Sequence, residues 1–100
     1  MTYPALELLV QAYLTIDWVD EYEDVWEAVD DFVANEPVAP DLPDDITRLL
    51  AAKPAEDELT AFVTDELGCG YPPDEDGLTT TEWLTLVRRR AEAELAEQDG

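Results

Sequence analysis

Carboxylates are the side chains with which this sequence could do chemistry, and two runs of the chain are especially rich in them. Eight acidic residues occupy the fifteen positions 17–31: Asp17, Asp20, Glu21, Glu23, Asp24, Glu27, Asp30 and Asp31. A second run is formed by Asp74, Glu75 and Asp76. Closely spaced carboxylates can act as an acid–base pair, bind a cation, or form a surface complementary to a basic protein.

Catalysis finds no other support in the sequence. The chain contains no histidine and no serine, so neither a Ser/His nor a Cys/His nucleophile pair can be built. Cys69 lies between two glycines without a cationic neighbour that would lower its pKa, which predicts a partly buried structural thiol. A carboxylate pair acting on sugars also needs a cleft that a small helical domain rarely provides. We therefore predict no enzymatic activity, no catalytic residue and no cofactor.

A metal site is not predicted either. The run that begins at Asp74 superficially matches a calcium loop, which requires glycine at position 6 and glutamate at position 12. Counting from Asp74, those positions hold Thr79 and Thr85. A structural zinc site would need histidine or more than one cysteine, and the chain has a single cysteine.

The overall charge favours a basic partner. The chain has 26 acidic and 5 basic residues, a net charge of −21, and residues 1–47 contain no base. Such charge repels itself in a compact state and lowers stability, which indicates a use for it. A nuclease or another nucleic-acid-binding protein would offer a complementary surface, whereas nucleic acid itself and anionic membranes would be repelled. The alternative explanation for the negative charge is that it keeps the protein soluble or adapts it to a cytoplasm of high salt concentration.

The elements that must carry these acids are predicted to be helices. Apolar residues recur with a period near 3.6, which is typical of amphipathic helices. The apolar stripes lie at 6–14, 25–33, 42–50, 59–67 and 83–95. We expect an all-α fold, a compact bundle of about five short helices, in a single domain over 1–100 whose end, 97–100, is frayed.

Local signals mark the predicted helix ends. Pro4 is suited to the first turn of the first helix, and Asp41 precedes the third helix as a predicted N-cap. Gly68 is placed to end the fourth helix in a left-handed conformation. Thr79 and Glu82 have the spacing of a capping box at the start of the fifth.

We predict that the binding surface is formed by the acids of the first two helices, together with those at 74–76. The regular part of this surface is the second helix. Its acids recur at three- and four-residue spacing on the side opposite Val25, Trp26 and Phe32, with no basic residue nearby in sequence. Trp26 is expected in the core, Trp18 at the turn between the first two helices, and Tyr22 as an exposed interface anchor. The predicted partner-binding residues are Asp17, Asp20, Glu21, Tyr22, Glu23, Glu27, Asp30, Asp31, Asp74, Glu75 and Asp76.

Several strings in the chain, in this order and spacing, resemble one family of bacterial proteins. They are Tyr3-Pro4-Ala5-Leu6, Ala12-Tyr13, Asp17-Trp18, Ala28-Val29-Asp30-Asp31-Phe32, Glu36-Pro37, Leu67-Gly68-Cys69-Gly70-Tyr71, Pro72-Pro73, Asp76-Gly77, Glu82-Trp83-Leu84 and Val87-Arg88. Together they cover about residues 3–90 and resemble the immunity proteins of contact-dependent growth inhibition. The resemblance implies a small cytoplasmic protein that binds and blocks the C-terminal domain of a polymorphic toxin, often a basic nuclease.

Other functions remain open from the sequence. An acidic nucleic-acid mimic that inhibits a DNA-binding protein would carry the same charge, and an acidic adaptor or assembly subunit is a further alternative. We expect a monomer that binds neither nucleic acid nor membrane. A cytoplasmic location is expected because the N-terminus lacks the pattern of a signal peptide, no segment has the roughly 18 apolar residues of a membrane span, and the single cysteine provides no disulfide framework.

Overall fold

The predicted all-α fold is confirmed by a computed structural model, which describes residues 3–15 and 17–99. Within these ranges five α-helices run in chain order, and the first and fourth continue directly into π-helical turns. The α-helices are α1 (Pro4–Leu8), α2 (Val25–Asn35), α3 (Leu42–Ala52), α4 (Glu56–Ala61) and α5 (Thr80–Asp99). The π-helical turns are Leu9–Tyr13 and Phe62–Glu66, and single 3-10 turns lie at Trp18–Asp20, Ala39–Asp41 and Pro73–Asp76.

Helix α5 lies at the centre of the packing. It contacts α2, α3 and α4, while α1 packs on α3. The apolar stripes predicted from the sequence meet there, and Leu6, Phe32, Ile46, Leu59 and Trp83 each bury their side chains fully. Each short helix therefore gains its stability by burying one apolar face against the others, as helices of this length must.

Two predicted helix ends are confirmed in atomic detail. Gly68 has a φ of +77°, the left-handed conformation that glycine adopts without strain. At the start of α5 the Glu82 backbone N–H donates to Thr79 Oγ1 over 3.0 Å, and the Thr79 N–H donates to Glu82 Oε1 over the same distance. These reciprocal bonds are the capping box that the spacing predicts.

Asp41 is the N-cap residue of α3, as predicted, but its side chain does not cap the helix. Asp41 does directly precede α3, but the 3-10 turn before the helix gives it φ −86° and ψ −10°, and its carboxylate makes no capping bond. A capping side chain normally extends from a β-region backbone, as Asp24 does before α2. The Asp24 carboxylate accepts a hydrogen bond of 2.9 Å from the Glu27 N–H.

Two acidic residues cap helices to which they do not belong. Asp45 of α3 is 1% exposed and accepts hydrogen bonds from the backbone N–H groups of Ala5, at 2.8 Å, and Leu6, at 3.3 Å, at the start of α1. Its other oxygen pairs with the Arg48 guanidinium. The start of α1, which has no capping side chain of its own, is thus fixed to α3.

Glu56 does the same for α5. Its carboxylate accepts hydrogen bonds from the backbone N–H groups of Thr80, at 2.7 Å, and Thr81, at 3.1 Å. The hydroxyl of Thr60 donates to it as well. Partial burial of the carboxyl acts to raise its pKa, but these hydrogen bonds outweigh burial and hold the pKa of Glu56 below its usual value.

None of the described helices is both long enough and apolar enough to cross a membrane. The last of them, α5, runs to Asp99. Gly100, the last residue of the segment predicted to fray, lies outside the described residues.

Candidate functional site

The first part of the first acidic run forms an exposed loop between α1 and α2. The loop, residues 17–24, is built around the 3-10 turn Trp18–Asp20. Asp17, Asp20, Glu21 and Glu23 are exposed, and within the described part of the chain none of their carboxylates has a side-chain hydrogen bond or an ion pair. Their charge is therefore available to a partner.

The predicted acidic face of the second helix is shorter than expected. Glu23 lies before α2, since Asp24 caps the helix and Val25 is its first residue. Glu27 is exposed, whereas Asp30 and Asp31 are half-buried. Both of these half-buried acids have partners inside the protein.

Asp30 is paired with Arg90, sixty residues later. The Arg90 Nε and Nη2 groups donate to the two oxygens of Asp30 over 2.6 and 2.8 Å, and the guanidinium lies 5.6 Å from the centre of the Trp26 ring. The hydrogen bond from Arg90 lowers the pKa of Asp30. No basic residue is near Asp30 in sequence, as noted above, but the fold brings Arg90 to it in space. Trp26, predicted to be core, is half-buried and packs against the core.

Glu94, one turn further along α5, is the unusual member of this cluster. Burial, together with a hydrogen bond to Asp30, raises its pKa to about 7, and one of its oxygens is buried without a hydrogen-bond partner among the described residues. The hydrogen-bonded carboxyl groups of Glu94 and Asp30 share a proton more readily than both carry a negative charge. The sequence contains no sign of this pair, because Asp30 and Glu94 lie on different helices.

Tyr22 is not the exposed anchor that the sequence predicts. It is half-buried, and its hydroxyl donates to Asp31 Oδ2 over 2.6 Å. Its ring stacks on that of Tyr13 at 6.5 Å, and the Tyr13 hydroxyl donates to Glu36 Oε1 over 2.8 Å. Burial raises the pKa of both phenols, that of Tyr13 to about 12. The tyrosine pair thus joins the π-helical turn Leu9–Tyr13 to α2 rather than projecting to solvent.

Aromatic contacts bring the two acidic runs together. The Trp18 indole N–H donates to the Gly70 carbonyl over 3.2 Å, and the Trp18 ring meets that of Tyr71 edge-on at 5.6 Å. Tyr71 is buried, packs on Trp83, and donates its hydroxyl to Asp76 Oδ2 over 2.6 Å. Trp18 therefore lies at the turn between the first two helices, as predicted, and holds the loop 17–24 beside the turn 73–76.

The turn 73–76 presents two further unpaired carboxylates. Asp74 and Glu75 are exposed and have no side-chain hydrogen bond or ion pair in the described chain. Asp76 is exposed as well, but it holds the Tyr71 hydroxyl. Of the three acids predicted here, two are free to contact a partner and one supports the turn.

Val19 is a surface feature that sequence reasoning missed. Its side chain is 62% exposed, although it is large and apolar, and it lies inside the 3-10 turn between Trp18 and Asp20. The sequence did contain a signal for this exposed position, because Val19 is an apolar residue within an acidic run and lies outside every predicted helical stripe. Together with the acids of loop 17–24, Val19 makes a small apolar centre with a charged rim, the usual layout of a protein interface.

A cleft opens next to this surface. It has a volume of about 360 Å³ and lies between α4 and the segment 69–80, with Cys69, Tyr71 and Asp74 among its lining residues. Burial raises the pKa of the Cys69 thiol to about 11. The thiol is half-buried and donates to the Tyr71 carbonyl, which agrees with the predicted structural role. The described residues include no group of three or more Cys, Asp or Glu side chains arranged to hold a metal ion.

The exposed carboxylates of this small helical scaffold that have no internal partner are available for contact with another protein. The chain belongs to the CdiI immunity protein family, whose model matches residues 2–91. This confirms the resemblance to immunity proteins of contact-dependent growth inhibition and identifies a toxin-neutralising immunity protein. No curated protein and no solved structure gives a significant match.

Proposed function

We propose that this protein neutralises a basic nuclease toxin by covering it with the acidic surface described above. The surface comprises the exposed acids of loop 17–24, Glu27 of α2, and the turn 73–76. The observation that carries the proposal is the group of unpaired, exposed carboxylates on two adjacent segments of an immunity protein whose net charge is −21. Charge left unpaired within the protein is complementary to a cationic substrate groove.

The proposed mechanism is occlusion assisted by electrostatic attraction. The negative electrostatic field of the protein speeds its encounter with a basic toxin. The association rate constant can approach about 10⁸ M⁻¹s⁻¹ at low salt, and it falls as salt screens the field. The dissociation rate is set by the groups desolvated at the contact, for which Val19 provides an apolar centre. The bound immunity protein keeps nucleic acid out of the toxin's groove, because the phosphates of the nucleic acid and these carboxylates compete for the same cationic groups.

The eleven predicted interface residues divide into two roles in this proposal. Seven carboxylates without an internal partner contact the toxin directly: Asp17, Asp20, Glu21, Glu23, Glu27, Asp74 and Glu75. Tyr22, Asp30, Asp31 and Asp76 have hydrogen-bond partners inside the protein and position the surface.

The test uses the toxin domain encoded beside this chain. Its affinity for the purified immunity protein is measured by calorimetry, and its association rate by stopped-flow fluorescence, at about 50 and 500 mM salt. Its cleavage of RNA and DNA is followed with and without the partner. We expect a tight complex at both salts, an association rate that falls at high salt, and loss of cleavage. A complex that leaves nuclease activity intact, or whose association rate ignores salt, would overturn the proposal.

A nucleic-acid mimic is the second candidate, favoured by the same unpaired carboxylates. It predicts binding to many DNA-binding proteins, all weakened strongly by salt, whereas an immunity protein prefers its own toxin. Competition between the cognate domain and an unrelated basic nuclease separates the two. We further propose that the protein binds the toxin as a monomer in the cytoplasm and has no catalytic activity of its own.

A further inference from the structure

The cleft beside the acidic turn is lined by both apolar and polar residues. Pro72, Pro73 and Leu78, all half-buried, provide apolar surface, and Tyr71 forms part of the lining. A cleft of about 360 Å³ is large enough to admit a long side chain from another protein. An aliphatic stem would pack well on these groups.

Two polar residues that line the cleft, Glu56 and Thr80, already have partners within the protein. The Glu56 carboxylate accepts hydrogen bonds from the N-terminus of α5 and from Thr60 and Thr81. The buried Thr80 hydroxyl lies 2.7 Å from that of Thr60. An anion is disfavoured here, because the start of α5, where an anion would bind, is occupied by the carboxylate of Glu56.

Asp74 differs from Glu56, the other carboxylate that lines the cleft. It is exposed, and its carboxylate has no hydrogen bond or ion pair with any described side chain. It is also one of the seven carboxylates assigned to the proposed toxin contact. The cleft therefore combines apolar surface for a stem with a negative charge available for a cationic end group.

We propose that this cleft receives a lysine or arginine side chain of the toxin domain, with its stem on Pro73 and Leu78 and its charged end at Asp74. The inference rests on the proposed function, since it assigns the cleft to the same toxin. A long cationic side chain satisfies both features, because its apolar and charged parts are at opposite ends. The pair would be partly desolvated inside the cleft, unlike the pairs made by the exposed rim.

The matched variants Asp74→Asn and Glu75→Gln test the assignment. Both remove one charge from the same exposed turn, but only Asp74 lines the cleft. We expect Asp74→Asn to weaken toxin binding at least about tenfold and Glu75→Gln less than about threefold, because a desolvated charge pair contributes more than an exposed one. Thermal unfolding of both variants should match the parent, as neither carboxylate has a partner within the described chain.

A double-mutant cycle then identifies the occupant. Each exposed lysine and arginine of the toxin's contact surface is replaced by alanine and tested against the parent chain and Asp74→Asn. One toxin substitution should weaken binding to the parent about tenfold yet add little in the Asp74→Asn background.

The outcomes separate the two proposals. Tight binding with equal, small effects of Asp74→Asn and Glu75→Gln, and no coupled toxin residue, would overturn the cleft assignment and leave the immunity surface standing. Failure of the parent chain to bind the toxin domain would overturn both.

Discussion

Replacement of Asp45 by alanine should be among the most destabilising single changes in this protein. The side chain is 1% exposed and accepts hydrogen bonds from two backbone N–H groups at the start of α1. Alanine would leave both N–H groups without this acceptor and would remove a buried partner of Arg48. Each orphaned buried donor costs about 1–3 kcal/mol, and breaking a buried charge pair costs about 3–5 kcal/mol. Because Arg48 is partly exposed, the ion-pair contribution is reduced, and we expect a total loss of about 3–5 kcal/mol.

Chemical denaturation followed by tryptophan fluorescence measures this loss. A free energy of unfolding of about 5–15 kcal/mol is usual for a domain, so the loss should greatly lower the denaturant concentration at the midpoint of unfolding. Asp44→Ala is the matched control, since Asp44 pairs with the same Arg48 but its side chain is 75% exposed. It should cost no more than about 1 kcal/mol. Equal losses for the two variants would refute the reasoning, because they would show that the buried cap of α1 contributes nothing beyond a surface ion pair.

Three further predictions concern the pH response, the binding surface and the core. Burial and Asp30 raise the pKa of Glu94 from 4.5 to about 7, so the unfolded chain releases this proton at lower pH than the folded one. As the pH rises from about 4.5 to 7, the free energy of unfolding of the parent should therefore fall relative to that of Glu94→Gln. Denaturant titrations across that range measure both, and an equal pH dependence of the two proteins would contradict the prediction. Val19→Ser should weaken toxin binding about three- to tenfold in calorimetry with an unchanged melting temperature, because Val19 is 62% exposed, and undiminished affinity would move the contact elsewhere. Trp83→Ala should destabilise the fold by about 3–5 kcal/mol in the same denaturation assay, since the side chain is fully buried, and a fully stable variant would argue against its central place.

Local sequence was enough for much of the helical scaffold. The apolar period depends only on residues within a few turns of one another, and so do the capping box at Thr79 and Glu82 and the left-handed end at Gly68. Asp41 shows the limit of that reasoning even over short distances. Its residue type favours a cap, but the 3-10 turn that precedes α3 sets its backbone in a conformation from which the side chain does not cap.

The acidic surface was predicted only in outline. The sequence shows where carboxylates are concentrated, and the loop 17–24 and the turn 73–76 do present most of them to solvent. It cannot show which are neutralised, since Arg90 reaches Asp30 across sixty positions. The same holds for Tyr22, whose hydroxyl is taken up by Asp31 once α2 has formed.

The sequence by itself determined the helical class, the concentration of negative charge and the family to which the chain belongs. These follow from composition, from periodicity over a few residues, and from strings of residues at fixed spacing. The tertiary structure alone decided which acids hold the fold together and which are free to bind: Asp45 and Glu56 cap neighbouring helices, while Asp17 and Asp74 have no partner among the described residues. The physical reason is that a carboxylate's role depends on the donors brought to within about 3 Å of it, and in a bundle those donors come from distant parts of the chain.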